Sequence, residues 1–107
     1  MSSRADEESI FKALAHGTRR ALLDCLKEKP QTTGMLCEAI PGIDRCTVMQ
    51  HLKVLEGAGL VVVVRDGRER WNHLDAMPIK RIHDRWIGEY ASHAVSILDR
   101  LKADLES

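Results

Sequence analysis

Residues 44 to 74, DRCTVMQHLKVLEGAGLVVVVRDGRERWNHL, change their hydrophobic period twice, and few folds accommodate that order of elements. Asp44 suits a helix N-cap, since its carboxylate accepts the free backbone N–H groups of a first turn beginning at Arg45. Val48, Leu52 and Leu55 recur at spacings of four and three, so one helical face is apolar, while Arg45, Thr47, Gln50, His51 and Lys53 fall mostly off it. Gly57 and Gly59 break the helix, and Leu60 to Val64 is an apolar run, β-branched from Val61 on, that favours a strand. Asp66-Gly67 is a strong two-residue hairpin signal, with Arg65, Arg68 and Arg70 around it before a second strand, Glu69 to Leu74. A basic-faced helix followed at once by a cationic hairpin is the consequence.

The remainder of the chain is helical in pattern. EESIFKALA places Ile10, Phe11 and Leu14 on one face, and His16-Gly17 interrupts before Thr18 opens a second helix, Arg19 to Lys29, with Leu22, Leu23 and Leu26 inward. Pro30 ends it, because proline cannot continue the backbone ladder. Thr33 is expected to cap a short third helix, Gly34 to Ile40, and Pro41-Gly42 turns into the helix that starts at Arg45. Helix, tight turn, helix and hairpin together predict a winged helix-turn-helix: a mainly α single domain over 1 to 107, with a reading motif over 33 to 56 and a wing over 60 to 74. A polar helix of this length fits the major groove of B-DNA, and an arginine-tipped hairpin beside it can reach phosphates or the adjoining minor groove.

Pro78 suits the first position of a last helix expected from 78 to 105. Ile79, Ile82, Trp86, Tyr90, Ala94, Ile97, Leu101 and Leu105 form an apolar stripe along it, longer than one small domain can cover. The expectation is a long C-terminal dimerisation helix and a twofold homodimer, with Ile10, Phe11, Ile82, Trp86, Tyr90, Ile97 and Leu101 at the interface.

Composition mainly excludes. The formal net charge is zero, unlike the strong basicity of many nucleic-acid-binding domains, so the cations must act by position instead of by sum. No apolar run is long enough for a membrane span, and MSSRADEES has no export-signal pattern, so cytoplasm is the expected location. Cys25, Cys37 and Cys46 form no close pair, which argues against a disulfide scaffold. No serine elbow, phosphate-cradling glycine loop or carboxylate constellation points to catalysis.

LAHGTRRALLDCL (14 to 26), VMQHLKVLEGAGLV (48 to 61) and RDGRERWNHLD (65 to 75), followed by a long terminal helix, resemble the ArsR family of small dimeric winged-helix repressors. The resemblance covers nearly the whole chain and is strongest to a branch without the usual metal sites, often found beside START-like ligand-binding proteins. Metal sensors of that family carry Cys-x-Cys at the start of the third helix, where this chain has Thr32 and Gly34, and further ligands just after the wing, where it has Ala76, Met77 and Pro78. His83 and His93 are too far apart along one helix to share an ion. No metal and no cofactor are therefore expected.

The resemblance implies double-stranded DNA as partner, an effector that the sequence does not name, and a role as repressor of its own or a neighbouring operon. Arg45, Thr47, Gln50 and His51 are the candidates for base or phosphate contacts, Thr33 and Lys53 for phosphate, and Arg68 and Arg70 for the wing. Met49 stands where the family leads one to expect a small residue, and Asn72 where it leads one to expect an aromatic. Cys46, in the first turn of the reading helix, and Cys37 are candidates for a thiol switch. Two alternatives remain open: a protein-interaction module without DNA binding, and a metal- or thiol-responsive sensor of the same fold.

Overall fold

The computed structural model describes residues 4 to 106. Helices α1 (Arg4–Leu14) and α2 (Gly17–Leu26) lead into a short strand β1 (Gln31–Thr32), then α3 (Thr33–Ala39) and α4 (Arg45–Gly57). Strands β2 (Val61–Asp66) and β3 (Glu69–Leu74) form the hairpin, and α5 (Met77–Ile82), a π-helical turn (His83–Ile87) and α6 (Gly88–Glu106) complete the chain. The sheet is antiparallel in the order β1-β3-β2.

One apolar cluster joins these elements. Leu22, Leu23 and Leu26 of α2, Leu36 of α3, Val48, Leu52 and Leu55 of α4, and Leu60 and Val61 entering β2 are all buried, with Ile10 and Ala13 of α1. Burial of a side chain of this size contributes about 1.5 to 3 kcal/mol, so the stripe of α4 alone fixes that helix firmly against α2 and the sheet. Gly59, at φ +78, makes the turn between α4 and β2, and Leu60 N–H bonds back to Leu55 O at 2.9 Å. At the hairpin tip Gly67 has φ +63, the left-handed backbone that the Asp66-Gly67 pair implied.

Several boundaries differ from the expectations. Helix α2 opens at Gly17, with His16 Nδ1 accepting from Thr18 N–H at 3.2 Å, and stops at Leu26 instead of Lys29. The cap of α3 is Thr32, whose hydroxyl accepts from Met35 N–H at 3.2 Å; Thr33 is the first helical residue and is buried. Strand β1 was not foreseen. Two residues give no readable alternation, and its place is set by Gln31 pairing with Asn72 and by the Gln31 side-chain amide donating to Cys25 O.

The terminal helix spans the expected region but is not uniform. Gly88 N–H bonds to His83 O, the i to i+5 pattern of a π turn, which holds one residue more than an α turn. It lies where the helix leaves the body: α5 packs Pro78, Ile79 and Ile82 inward, whereas no residue of α6 is buried. Arg85 in the π turn pairs with the buried Glu7 of α1 and ties this point of the helix to the body. The projecting helix stretches the chain to 68 × 29 × 22 Å, with a radius of gyration of 18.7 Å against roughly 13 Å for a compact domain of about this length.

Since Leu52 has no exposure and joins α4 to α2 and the sheet, Leu52→Ala is expected to destabilise the fold by about 2 to 5 kcal/mol in urea unfolding, with an unchanged m-value.

Candidate nucleic-acid interface

The exposed side of α4 and the inner side of the wing form one concave surface. Because Val48, Leu52 and Leu55 are held inward, Arg45, Met49, Gln50 and Lys53 are held outward on the opposite side. Asp44 caps the helix as expected: its Oδ1 accepts from Thr47 N–H at 2.7 Å, and this bond holds its carboxyl below the ordinary pKa. Thr47 itself is half-buried at the edge of the face.

The hairpin register decides which wing residues join that surface. Val63 pairs with Asn72, Arg65 with Arg70 and Asp66 with Glu69. Alternation along a strand puts Arg65 and Arg70 on the same face as the buried Val61 and Asn72, the face turned toward the helices. Arg45, Arg65, Arg68 and Arg70 then line one groove with Thr32 and Met49, and Glu69 is the acidic residue in it. Next to it, Met49, Gln50, Lys53, Glu56 and Arg70 line a shallower hollow. Cations are concentrated here although the chain as a whole is neutral.

Four expected site residues are placed differently from their sequence reading. Thr33 is 2% exposed, and its hydroxyl accepts from Asn72 Nδ2 at 3.2 Å; it lines the groove together with Thr32, one residue earlier, which is the helix cap. His51 turns toward α2: its ring lies 4.4 Å from that of His16, and Arg19 Nη1 is 3.3 Å from its Nδ1. Arg70 is engaged by Glu56 at 2.8 Å, whereas Arg68 stands exposed near the tip. Ile10, expected at a dimer surface, is a core residue at 4% exposure, while its neighbour Phe11 is half exposed.

Asn72 takes a part that its residue type did not announce. With no exposure, its Nδ2 donates both to Gln31 O and to Thr33 Oγ1, each at 3.2 Å, tying β3 to β1 and to the start of α3. A buried amide in place of an aromatic therefore fastens the wing to the helix-turn-helix. Arg19, missed by the sequence reading, bonds to Ala13 O at 2.7 Å and Lys12 O at 3.0 Å while facing His51, so it links α1, α2 and α4. An arginine at the start of a helix gives no sequence signal for that role.

Cys37 is half-buried against the core and Cys46 is exposed in the first turn of α4; both are free thiols. Among the described residues no group of three or more His, Cys, Asp or Glu side chains could hold a metal ion, and no helix is long and apolar enough to cross a membrane.

Helix-turn-helix, hairpin wing and a cationic concavity between them define a winged helix-turn-helix protein. Residues 14–64 match the helix-turn-helix domain family. The HTH-type transcriptional regulator Rv2034 of Mycobacterium tuberculosis (strain H37Rv) is 40% identical over 75 residues, 70% of this chain and 69% of that protein. An ArsR-like transcriptional regulator from Rhodococcus sp. RHA1 superposes with a TM-score of 0.70 at 27% identity, over 91% of this chain and 92% of that one. A homodimeric winged helix-turn-helix DNA-binding domain from Mycobacterium bovis shares the fold, with a TM-score of 0.65 at 23% identity over 88% and 91% of the two chains. The chain belongs to the ArsR family of winged helix-turn-helix transcriptional regulators. It is a DNA-binding regulator, of a class that does not act by catalysis.

The His16–His51 contact makes stability depend on pH. Burial first, then the charges of His16 and Arg19, push the His51 pKa below its ordinary value of 6.5. The unfolded chain consequently binds more protons than the folded one just below that pH, and stability falls as the pH drops through the unfolded value. The melting temperature is expected to decrease between pH 7.5 and 5.5, and His51→Gln to flatten that decrease; an equal decrease in the variant would assign it to other groups.

Proposed function

We propose that the protein is a homodimeric repressor that binds an inverted-repeat operator at the promoter of its own or a neighbouring operon. The two α4 helices would enter successive major grooves about one helical turn apart, and the bound dimer would block polymerase sterically. The observation that carries this reading is the concavity in which Arg45, Gln50 and Lys53 of α4 share one surface with Arg65 and Arg68 of the wing. Arg45 and Gln50 have the donor geometry for base edges; Lys53, Thr32 and Arg68 suit phosphates, which position without specifying sequence. Met49 stands at the centre of the surface, where its apolar side chain suits a thymine methyl group. A protein of this kind works in the cytoplasm, with its operator.

The dimer rests on α6. A π turn displaces every later position by one residue, so the residue that follows Ile82 on its own face is Ile87 and not Trp86. From there the apolar positions alternate by four and three: Ile87, Ala91, Ala94, Leu98, Leu101 and Leu105. Trp86, Tyr90 and Ile97 flank this seam, so the expected interface keeps Leu101 and widens around the others. Leu98, Tyr90 and Leu105 are 62, 65 and 80% exposed, and a helix about 28 Å long with that much bare apolar surface calls for a second copy. The similar fold from M. bovis is a homodimer.

The test is binding of the purified protein to its upstream promoter fragment and to a scrambled fragment across a salt series, with mass measured in parallel. Specific, salt-dependent binding by a dimer is expected, and Arg68→Gln should lower the slope of log K against log salt by about 0.9. Equal weak binding to both fragments would instead favour a protein-interaction module.

Leu98→Glu is expected to yield a monomer in sedimentation and to weaken operator binding by about a hundredfold or more, because two half-sites would no longer be held together. A dimeric L98E protein with full affinity would place the interface elsewhere.

A further inference from the structure

Arg70, which lines the candidate interface, is paired with a carboxylate on the same surface. It lies directly across from Arg65 in the hairpin, and like charges in that position repel. Its Nη2 donates to Glu56 Oε2 at 2.8 Å, and its Nε, closed off from solvent, has no hydrogen-bond partner among the described residues. Glu56 is in the last turn of α4, the end where the helix dipole disfavours a negative charge, so helix stability gives no reason for it. It also lines the same hollow as Gln50 and Lys53, on the face that a DNA backbone must approach. Arg70 borders both this hollow and the arginine-lined groove beside it. One arm of the guanidinium that a phosphate would seek is already bonded to a carboxylate.

We propose that Glu56 is a built-in competitor for DNA phosphate, pairing with Arg70 in the free protein and giving it up when the backbone docks. The proposal rests on the DNA-binding reading above and adds an internal restraint on it. Docking the backbone on Arg70 leaves Glu56 unpaired beside it, so the two together bring no net charge to the DNA and the exchange releases almost no counterion. In the wild type Arg70 therefore adds almost nothing to the salt slope, and removing the charge of Glu56 unmasks its full contribution.

The experiment compares wild type, Glu56→Gln, Arg70→Met and the double variant on mixed-sequence duplex DNA, since phosphate contacts do not depend on sequence. Glu56 is partly exposed and Met keeps an apolar stem in the place of the partly buried Arg70, so all four proteins should fold; thermal unfolding checks this, and Glu56→Ala serves as a second charge removal. E56Q and E56A are expected to steepen the salt slope by about 0.9 and to tighten binding about eightfold at 0.1 M salt, as one more released counterion requires. With Met at position 70, E56Q should leave the slope unchanged. The same steepening in both backgrounds would overturn the proposal in favour of general repulsion between Glu56 and DNA, and weaker binding by E56Q would show that Glu56 presents Arg70 to the phosphate. A wild-type protein that binds no duplex at any salt would overturn the DNA-binding reading itself, and the competitor with it.

Discussion

Burial of Val48, Leu52 and Leu55 on one side of α4 is the constraint on which the rest depends. A helix with one buried stripe has no freedom to rotate, so fixing three apolar residues inward also fixes Arg45, Met49, Gln50 and Lys53 outward. The same stripe meets Leu60 and Val61, which hold the start of β2 against the end of α4. The wing is thus aimed by the core and not by its own hairpin alone. Asn72 adds the second fastening, because its amide donates to both β1 and the first residue of α3. The distance between wing and helix-turn-helix is set by packing on one side and by hydrogen bonds on the other.

Much of this was legible from period and turn chemistry. The α4 stripe, the Asp44 cap and the Asp66-Gly67 hairpin are local signals, each with its cause within a few residues, and each recurs in the fold. What was not legible depends on contacts distant in sequence. Thr32 and Thr33 are chemically alike, and only the approach of Asn72, about forty residues later, turns Thr33 inward and leaves the cap to Thr32. His51 reads as a polar position on an exposed face until His16 and Arg19 of α2 arrive beside it. Arg70 reads as one more wing cation until the register brings it to Glu56.

The terminal helix was ambiguous for a different reason. Trp86 and Ile87, Tyr90 and Ala91, and Ile97 and Leu98 are adjacent apolar pairs, so the stripe is continuous in either of two registers one residue apart. A single π turn selects between them, and nothing in a strict helical period reveals it. The choice matters for the proposed dimer, because small residues at Ala91 and Ala94 fall on the seam that the π turn selects and would let two helices approach more closely there than Trp86 and Tyr90 would allow. The π turn also coincides with the Arg85–Glu7 pair, the point at which the helix stops being part of one domain. The π turn and this pair are therefore where the body passes into the projecting helix.

Zero net charge then becomes a property of the design instead of an objection to DNA binding. Long-range attraction falls with distance and with salt, so a neutral protein gains little from bulk steering and depends on contacts made at the surface. Gathering Arg45, Arg65 and Arg68 around one groove would supply such contacts locally, while the acids of the chain keep the distant field small. Non-specific affinity comes almost wholly from phosphate neutralisation, so a neutral chain is expected to have little of it. Base-edge contacts of the kind proposed for Arg45 and Gln50 do not depend on the non-specific term, so lowering that term would raise the ratio between operator and bulk DNA. That ratio, not affinity alone, decides whether a scarce regulator finds its site among a genome of competitors.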